Sequence, residues 1–371
     1  MSAASVRRAR RRDRQVYLRS HPVLFLLLAA ARRRDAVRLG RTLVVNGTEA
    51  YRDVLTRLPL DRRAAGTTGG VARERSVESL LFDQDGAEHR SARRAVAADL
   101  GAGGVARLRP VWLEVLERRL APLGDGDEVD LVDVSAELAG ATTAALLDLD
   151  VPAAELAAAV REAAAGAVRA HLPGLRLRPG GRAPAAGPAT AEARVVNLVG
   201  GAGRDGAEVG RHVMLALAAV NTTVAGLPRA AAWCADAGLW ADAADAARRP
   251  VLVAELLRVV APSPVLPRAA ASDGAAGACR VRAGDRLVLV ARHAAHAHRR
   301  DPDAHAPAPA AVAQLVFGAG PHACPGAGLA RAQLDDLLRL LAPFRPQIVR
   351  ARAARSAALP GWALLTVRGR R

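Results

Sequence analysis

Of the three cysteines, Cys234, Cys279 and Cys324, one stands in a setting suited to chemistry. Cys324 lies in Phe317-Gly-Ala-Gly-Pro-His-Ala-Cys-Pro-Gly-Ala-Gly-Leu-Ala-Arg331. Glycines at 318, 320, 326 and 328 let backbone approach something flat and bulky. A helix starting just after the cysteine aims free N–H groups and a positive dipole end at the sulfur. That setting favours thiolate. No second Cys or His stands at zinc-ligand spacing. A heme iron needs only one protein thiolate. The plainer alternative is a structural cysteine in a glycine-rich loop.

Other pairs have the spacing of a shared helix face. Glu255 and Arg258 are three apart, and His89 and Arg93 four apart. Asn221 and Thr222 lie inside a long apolar helical pattern. His293, His296, His298 and His305 form a loose cluster; with no Cys or carboxylate completing the set, they read as solvated histidines. Cys234 and Cys279 read as structural. Gly201-Ala-Gly-Arg-Asp-Gly206 fits a dinucleotide-binding fingerprint and follows Val195-Val-Asn-Leu-Val199. No acidic residue follows on a next strand, so the match reads as an accident of composition.

The elements that must position these groups are mostly helices. Periodicity predicts helices over about 22–33, 88–98, 106–122, 131–148, 152–171, 207–236, 247–260 and 326–342. Thr48 is expected to cap a helix ending near Leu58. Pro228 is expected to kink or split the long helix. A hairpin is expected to turn at Gly40-Arg41, and strands over 279–292 to flank Ala283-Gly284-Asp285. Residues 59–78 and 173–189 read as loops. Residues 1–20 read as a mobile, basic N-terminal arm, and 21–371 as one large domain.

The chain has 371 residues, 51% of them apolar, which excludes a wholly disordered protein. Its net charge is +17, and all 53 basic residues other than His are arginine. A GC-rich coding bias accounts for much of that. With 3% aromatics and scattered arginines, nucleic-acid binding is not the expected role. Three cysteines suit a reducing compartment, hence a cytoplasmic protein. The aliphatic run Val23–Ala31 is too short to span a bilayer, so no membrane anchor is expected.

On these residues the chain resembles the cytochrome P450 family. Phe317, Gly320, His322, Cys324 and Gly326 match its heme-loop pattern Phe-x-x-Gly-x-(His/Arg)-x-Cys-x-Gly, and Leu329-Ala-Arg331 extends the match. The resemblance covers roughly residues 20 to 370. It implies a mainly α fold with small β-sheets and a bound heme b (iron protoporphyrin IX). Cys324 would be the metal ligand, with Phe317, Gly318, His322 and Gly326 along the heme. His89, Arg93 and Arg268 would meet the propionates. Ala218, Asn221 and Thr222 would form the oxygen-side groove, and Glu255 and Arg258 the structural ion pair. The implied activity uses O2 and two electrons to hydroxylate or oxidatively couple a small natural product or peptide. A ferredoxin-type donor with its reductase would supply the electrons. The competing reading is a heme-thiolate binding or sensor protein without turnover.

Three departures stand out. Asn221 replaces the usual Asp or Glu before the threonine. Either proton delivery is altered, or Asn221 simply bonds within its helix. Pro325 removes a backbone donor that could face the sulfur, which predicts a lower reduction potential than in a Pro325→Leu variant. Finally, the stretch after Pro302 lacks the arginine that would pair with Glu255, leaving Arg299 or Arg300 as substitutes.

Overall fold

Helix α1 (Ala3–Ser20) occupies the segment expected to be a mobile arm. In this computed structural model, which describes residues 2–67, 70, 81, 83–171, 188–200, 204–355 and 357–370, it is packed. Ser2 caps it, its hydroxyl accepting from the Ser5 amide at 3.1 Å. Its buried residues Ala9, Asp13, Val16, Tyr17 and Ser20 form one helical stripe, while the arginines fill the other faces. Asp13 is nearly fully buried and accepts from Arg229 Nη2 at 2.6 Å and Arg292 Nη1 at 3.1 Å. Both guanidiniums lie over the Tyr17 ring, 4.4 and 4.2 Å from its centroid, and its hydroxyl donates to the Val260 carbonyl at 2.6 Å.

Helix α2 (Pro22–Ala31) leads into β1 (Ala36–Leu39) and β2 (Thr42–Val45), the expected hairpin. Gly40 sits at φ +60° in its turn, where a side chain would strain the backbone. Helix α3 (Thr48–Thr56) starts after Gly47; Thr48 is not its cap, because its hydroxyl donates to the Ala294 carbonyl at 2.7 Å.

Helices α4 (Gly86–Leu100), α5 (Ala102–Leu120), α6 (Leu131–Leu146) and α7 (Ala153–His171) follow as expected, while the short strand β3 (Glu128–Asp130) between α5 and α6 was not foreseen. Most of the expected 173–189 loop lies outside the described residues, as does most of 68–80. Helix α8 (Pro188–Gly200) was not foreseen. It contains Val195–Val199, so no strand precedes the glycine pattern and a dinucleotide fold is excluded there; Gly201 and Gly203 lie outside the described residues.

Helix α9 (Gly206–Ala237) runs through the centre. Asp205 caps it, accepting from the Glu208 amide at 2.8 Å, and Gly238 at φ +73° ends it. Pro228 does not split it. Only one intrahelical bond is lost there, and the helix on both sides of Pro228 is buried against its neighbours. Helices α10 (Trp240–Ala244) and α11 (Arg249–Val260) complete the bundle.

Strands β4 (Leu266–Ala269), β5 (Gly274–Ala276), β6 (Cys279–Val281) and β7 (Arg286–Leu289) then split between sheets. β6 pairs with β5, and β7 joins a four-stranded sheet in the order β1-β2-β7-β4. The expected pair of strands around Gly284 is therefore not one hairpin; only β2 and β7 run parallel in the larger sheet. Short helices α12 (Ala291–Ala294) and α13 (Ala310–Ala313) precede α14 (Ala327–Leu341). β8 (Gln347–Ala353) and β9 (Trp362–Arg368) close a sheet ordered β3-β9-β8.

The largest apolar core lies among α5, α6, α9, α11 and α14; a second, smaller core lies under β2 and β7 against α3. Asp336 fixes the helix that follows Cys324. Fully buried, it accepts from Trp112 Nε1 at 3.0 Å and Arg109 Nη2 at 2.7 Å on α5. Gln333 adds a bond to Thr142 of α6 at 3.1 Å.

Candidate functional site

The cysteine loop is shaped by backbone that only glycine adopts readily. Gly318 lies at φ +79° and Gly320 at φ +70°. A side chain on Gly320 would also stand 3.0 Å from the Leu55 carbonyl oxygen of α3. The Cys324 amide donates to the Phe317 carbonyl at 2.7 Å, closing the loop. Gly326 then caps α14. Arg331, one turn into that helix, lies 4.7 Å from the Phe317 ring centroid and bonds to the Gln314 side chain.

Cys324 is exposed, yet enough protein surrounds its sulfur that burial pushes its thiol pKa up. The Gly326 N–H, Arg93 and Arg331 pull the other way without prevailing. The side chains and backbone alone thus do not favour thiolate as the sequence suggested. Desolvation outweighs one N–H bond and two cations.

Beside the loop the fold gathers basic side chains. His89 of α4 stacks on His322, ring centroids 3.7 Å apart. Arg62, Arg93 and Arg268 add their fields. Burial first, then Arg62 and His89, push the His322 pKa down to about 3. Burial and Arg268 push Arg62 down to about 10. His89 and Arg268 are shifted down too, both chiefly by burial. The opposing acid in this group is Asp85, whose carboxylate caps the Gly86 amide at 2.8 Å and lies 3.8 Å from His322 Nε2. His322 Nε2 and Arg62 Nε are buried without a hydrogen-bond partner. Such a cluster is complementary to an anion bearing carboxylates. Sequence reasoning missed Arg62. It lies in a polar loop with no local pattern, anchored by the Leu60–Ala270 bridge next to β4.

On α9, Thr222 Oγ1 donates to the Ala218 carbonyl and Asn221 Nδ2 to the Leu217 carbonyl, each at 2.8 Å. Asn221 thus makes the intrahelical bond of the plainer reading. Its side also lines a cavity of about 390 Å³ between α7, α9 and the 354–362 segment. Arg161 and Glu162 of α7 and Trp362 of β9 are among its walls. The 354–361 wall was not foreseen. Among the described residues, no hydrogen bond joins Asn221 or Thr222 to the cysteine loop.

Glu255 and Arg258 form a fully buried fork at 2.8 and 2.6 Å. Neither Arg299 nor Arg300 takes the place of the missing arginine. Glu255 accepts instead from the backbone amides of Ala308 at 3.0 Å and Asp303 at 3.3 Å. Arg258 donates to the carbonyls of Ala295, Arg300 and Asp301. The Arg299 side chain turns to His298, and that of Arg300 to the Ala306 carbonyl.

The histidine cluster differs from expectation. His293 is buried, with Nδ1 2.7 Å from Asn46 Oδ1, and His296 lies 3.0 Å from the Thr48 hydroxyl. Neither these histidines nor any other set of three or more His, Cys, Asp and Glu among the described residues is grouped to hold a metal ion.

No protein-family model and no curated protein matches the sequence. Solved structures do. A versatile cytochrome P450 from Bacillus subtilis aligns with TM-score 0.70 and 18% identity, over 94% of this chain and 100% of that one. P450 OxyD, involved in the biosynthesis of vancomycin-type antibiotics, aligns with TM-score 0.68 and 18% identity, over 92% and 94%. Cytochrome P450 MoxA from Nonomuraea recticatena aligns with TM-score 0.66 and 23% identity, over 91% and 92%. The chain has the cytochrome P450 fold, mainly α with small sheets, as the sequence led one to expect.

Proposed function

We propose that this chain is a cytochrome P450: a heme-thiolate oxidoreductase with Cys324 as the ligand of heme b. The observation that carries the proposal is the pairing of two features. An exposed cysteine stands at the start of α14, and beside it Arg62, Arg93, Arg268, His89 and His322 gather with Asp85 as the opposing acid. The heme, when bound, supplies the activation of O2 with two electrons.

The chain's own groups do the rest. Arg62, Arg93 and Arg268 would pair with the two propionates, which would relieve the mutual repulsion of the guanidiniums, and His89 and His322 would stand beside them as hydrogen-bonding rings. The Gly326 N–H donates to the sulfur, and Pro325 offers no second donor. Phe317, held against Arg331, limits water at the thiolate. Ala218 accepts the Thr222 hydroxyl proton, which leaves the hydroxyl oxygen free to accept from a water. Asn221 has one amide hydrogen committed to Leu217 and holds no exchangeable acid proton.

The proposed substrate is a small natural product or peptide, hydroxylated or oxidatively coupled. The role of OxyD in antibiotic biosynthesis supports that class. Electrons would come from a ferredoxin-type donor and its reductase, steered to the cysteine face by Arg90, Arg93, Arg94 or Arg331. The proposed location is the cytoplasm, with no spanning anchor and no nucleic-acid role. The replacement of the usual acid by Asn221 sustains a second reading, a heme-thiolate sensor that binds without turnover.

The test is the reduced carbon monoxide spectrum of the purified holoprotein. A strongly red-shifted Soret band that disappears in Cys324→Ser is expected. A histidine-type band in the wild type, or a spectrum unchanged in Cys324→Ser, refutes the ligand assignment. Electron consumption that depends on added substrate then excludes the sensor reading.

A further inference from the structure

Helix α2 reads Pro-Val-Leu-Phe-Leu-Leu-Leu-Ala-Ala-Ala, and only Leu28 of it is buried. Leu28, with Leu24 and Phe25, packs on Val44 of β2 and on Val290. That settles the inner face. The outer face carries Val23, Leu26 and Leu27, which are 52, 59 and 61% exposed, and Leu18 at the end of α1 is 42% exposed. Val23, Leu26, Leu27 and Ala30 follow the spacing of one helix face. A surface helix normally turns polar residues outward, and this one does not.

Cations frame the patch. Residues 14–41 hold seven arginines and a single acid, Asp35. Arg19 precedes α2, and Arg32, Arg33 and Arg34 follow it. Among the described residues, none of these four has an ion-pair partner. Partial burial, then Arg10, Arg32 and Arg292, also lower the Arg14 pKa, a sign of crowded positive charge. A second copy laid on this face would bring the same unpaired arginines against themselves. An anionic lipid surface instead offers both an acyl layer for the leucines and negative headgroups for the guanidiniums. Ten helical residues reach about 15 Å, half of a hydrocarbon core, so α2 would lie in the interface and not cross it.

We propose that α2 and its flanking arginines form a docking surface for an anionic membrane leaflet, with Val23, Leu26 and Leu27 entering the acyl boundary. This surface does not involve the heme site.

The experiment is flotation of the holoprotein with vesicles of phosphatidylcholine, with and without phosphatidylglycerol. The wild type should float with the anionic vesicles and not with pure phosphatidylcholine, and salt should weaken the binding. Leu26→Glu/Leu27→Glu should lower the bound fraction about tenfold or more, as loss of two leucine insertions predicts. Val23→Ser should lower it less. Arg33→Gln/Arg34→Gln should also weaken it, whereas Arg118→Gln/Arg119→Gln, on α5 away from α1 and α2, should not. Unchanged heme spectra and melting would show that these exposed substitutions leave the fold intact. Three results overturn the proposal. They are no flotation with anionic vesicles, flotation equal in the leucine variants, and a wild-type dimer that the leucine variants turn into monomer. The first excludes the membrane, the second leaves only diffuse charge, and the third assigns the face to a second copy.

Discussion

Replacing Asp13 by alanine tests what holds α1 to the body of the protein. One buried carboxylate serves two guanidiniums, with Arg229 side-chain exposure at 1% and Arg292 at 12%. Burial opposes the charge on both; Asp13 and Tyr17 overrule it and raise both arginine pKa values. Removing the carboxylate leaves two desolvated cations about 4 Å from the same tyrosine ring, without the carboxylate they share. Breaking a buried pair on one side costs about 3–5 kcal/mol. Because two partners are orphaned, the upper half of that range is expected, a shift of about a thousandfold in the unfolding equilibrium. Urea unfolding of the wild type and Asp13→Ala, followed by circular dichroism, measures it. Asp13→Ala/Arg229→Met should lose less than the two single substitutions summed, since the cation stranded by the first is removed by the second. Trypsin should also cut within residues 7–12 far faster in Asp13→Ala, as α1 leaves its site. A loss below about 1 kcal/mol, or strictly additive variants, would refute the idea that this carboxylate anchors the helix.

Arg62→Ala should weaken heme retention by about 10–100-fold, the loss of one charge-assisted bond; transfer of heme to apomyoglobin measures it. Asn221→Asp should change the ratio of product formed to electrons consumed if proton delivery is altered in this chain, and an unchanged ratio would establish the plainer role. The buried His293, its pKa lowered from 6.5 to about 3 by burial and neighbouring charge, binds its proton more readily in the unfolded chain. Its contribution to stability is therefore full above pH 6.5 and falls as pH drops towards about 3. The slope is at most about 1.4 kcal/mol per pH unit, and melting curves of His293→Gln should show a shallower acid limb.

The geometry of the cysteine loop was legible because glycine is legible. Positions 318 and 320 need a backbone region that other residues avoid, and their spacing to Cys324 follows from that need. The long helices were legible through their apolar period. What the composition hid was α1, where the sheer number of arginines masked the stripe Ala9, Asp13, Val16, Tyr17. A buried acid at a helical interval from Tyr17 was the available signal. Helix α8 was masked by the proline- and glycine-rich run before it. Arg62 and the 354–361 wall carry no local pattern at all. They join the site through tertiary placement, which a one-dimensional reading does not contain.

The backbone amides that serve Glu255 have a consequence for how this chain can vary over generations. A side-chain partner can be lost by a single codon change; a main-chain N–H persists through almost any substitution at 303 or 308. Proline is the exception at both positions, since it would delete the donor. Positions 304–307 are thus free to drift in composition while the buried fork stays satisfied, whereas Asp303 also caps the 305 and 306 amides and Ala308 is buried. Comparison methods that register residue types are blind to such a partner, whereas superposition of backbones retains it.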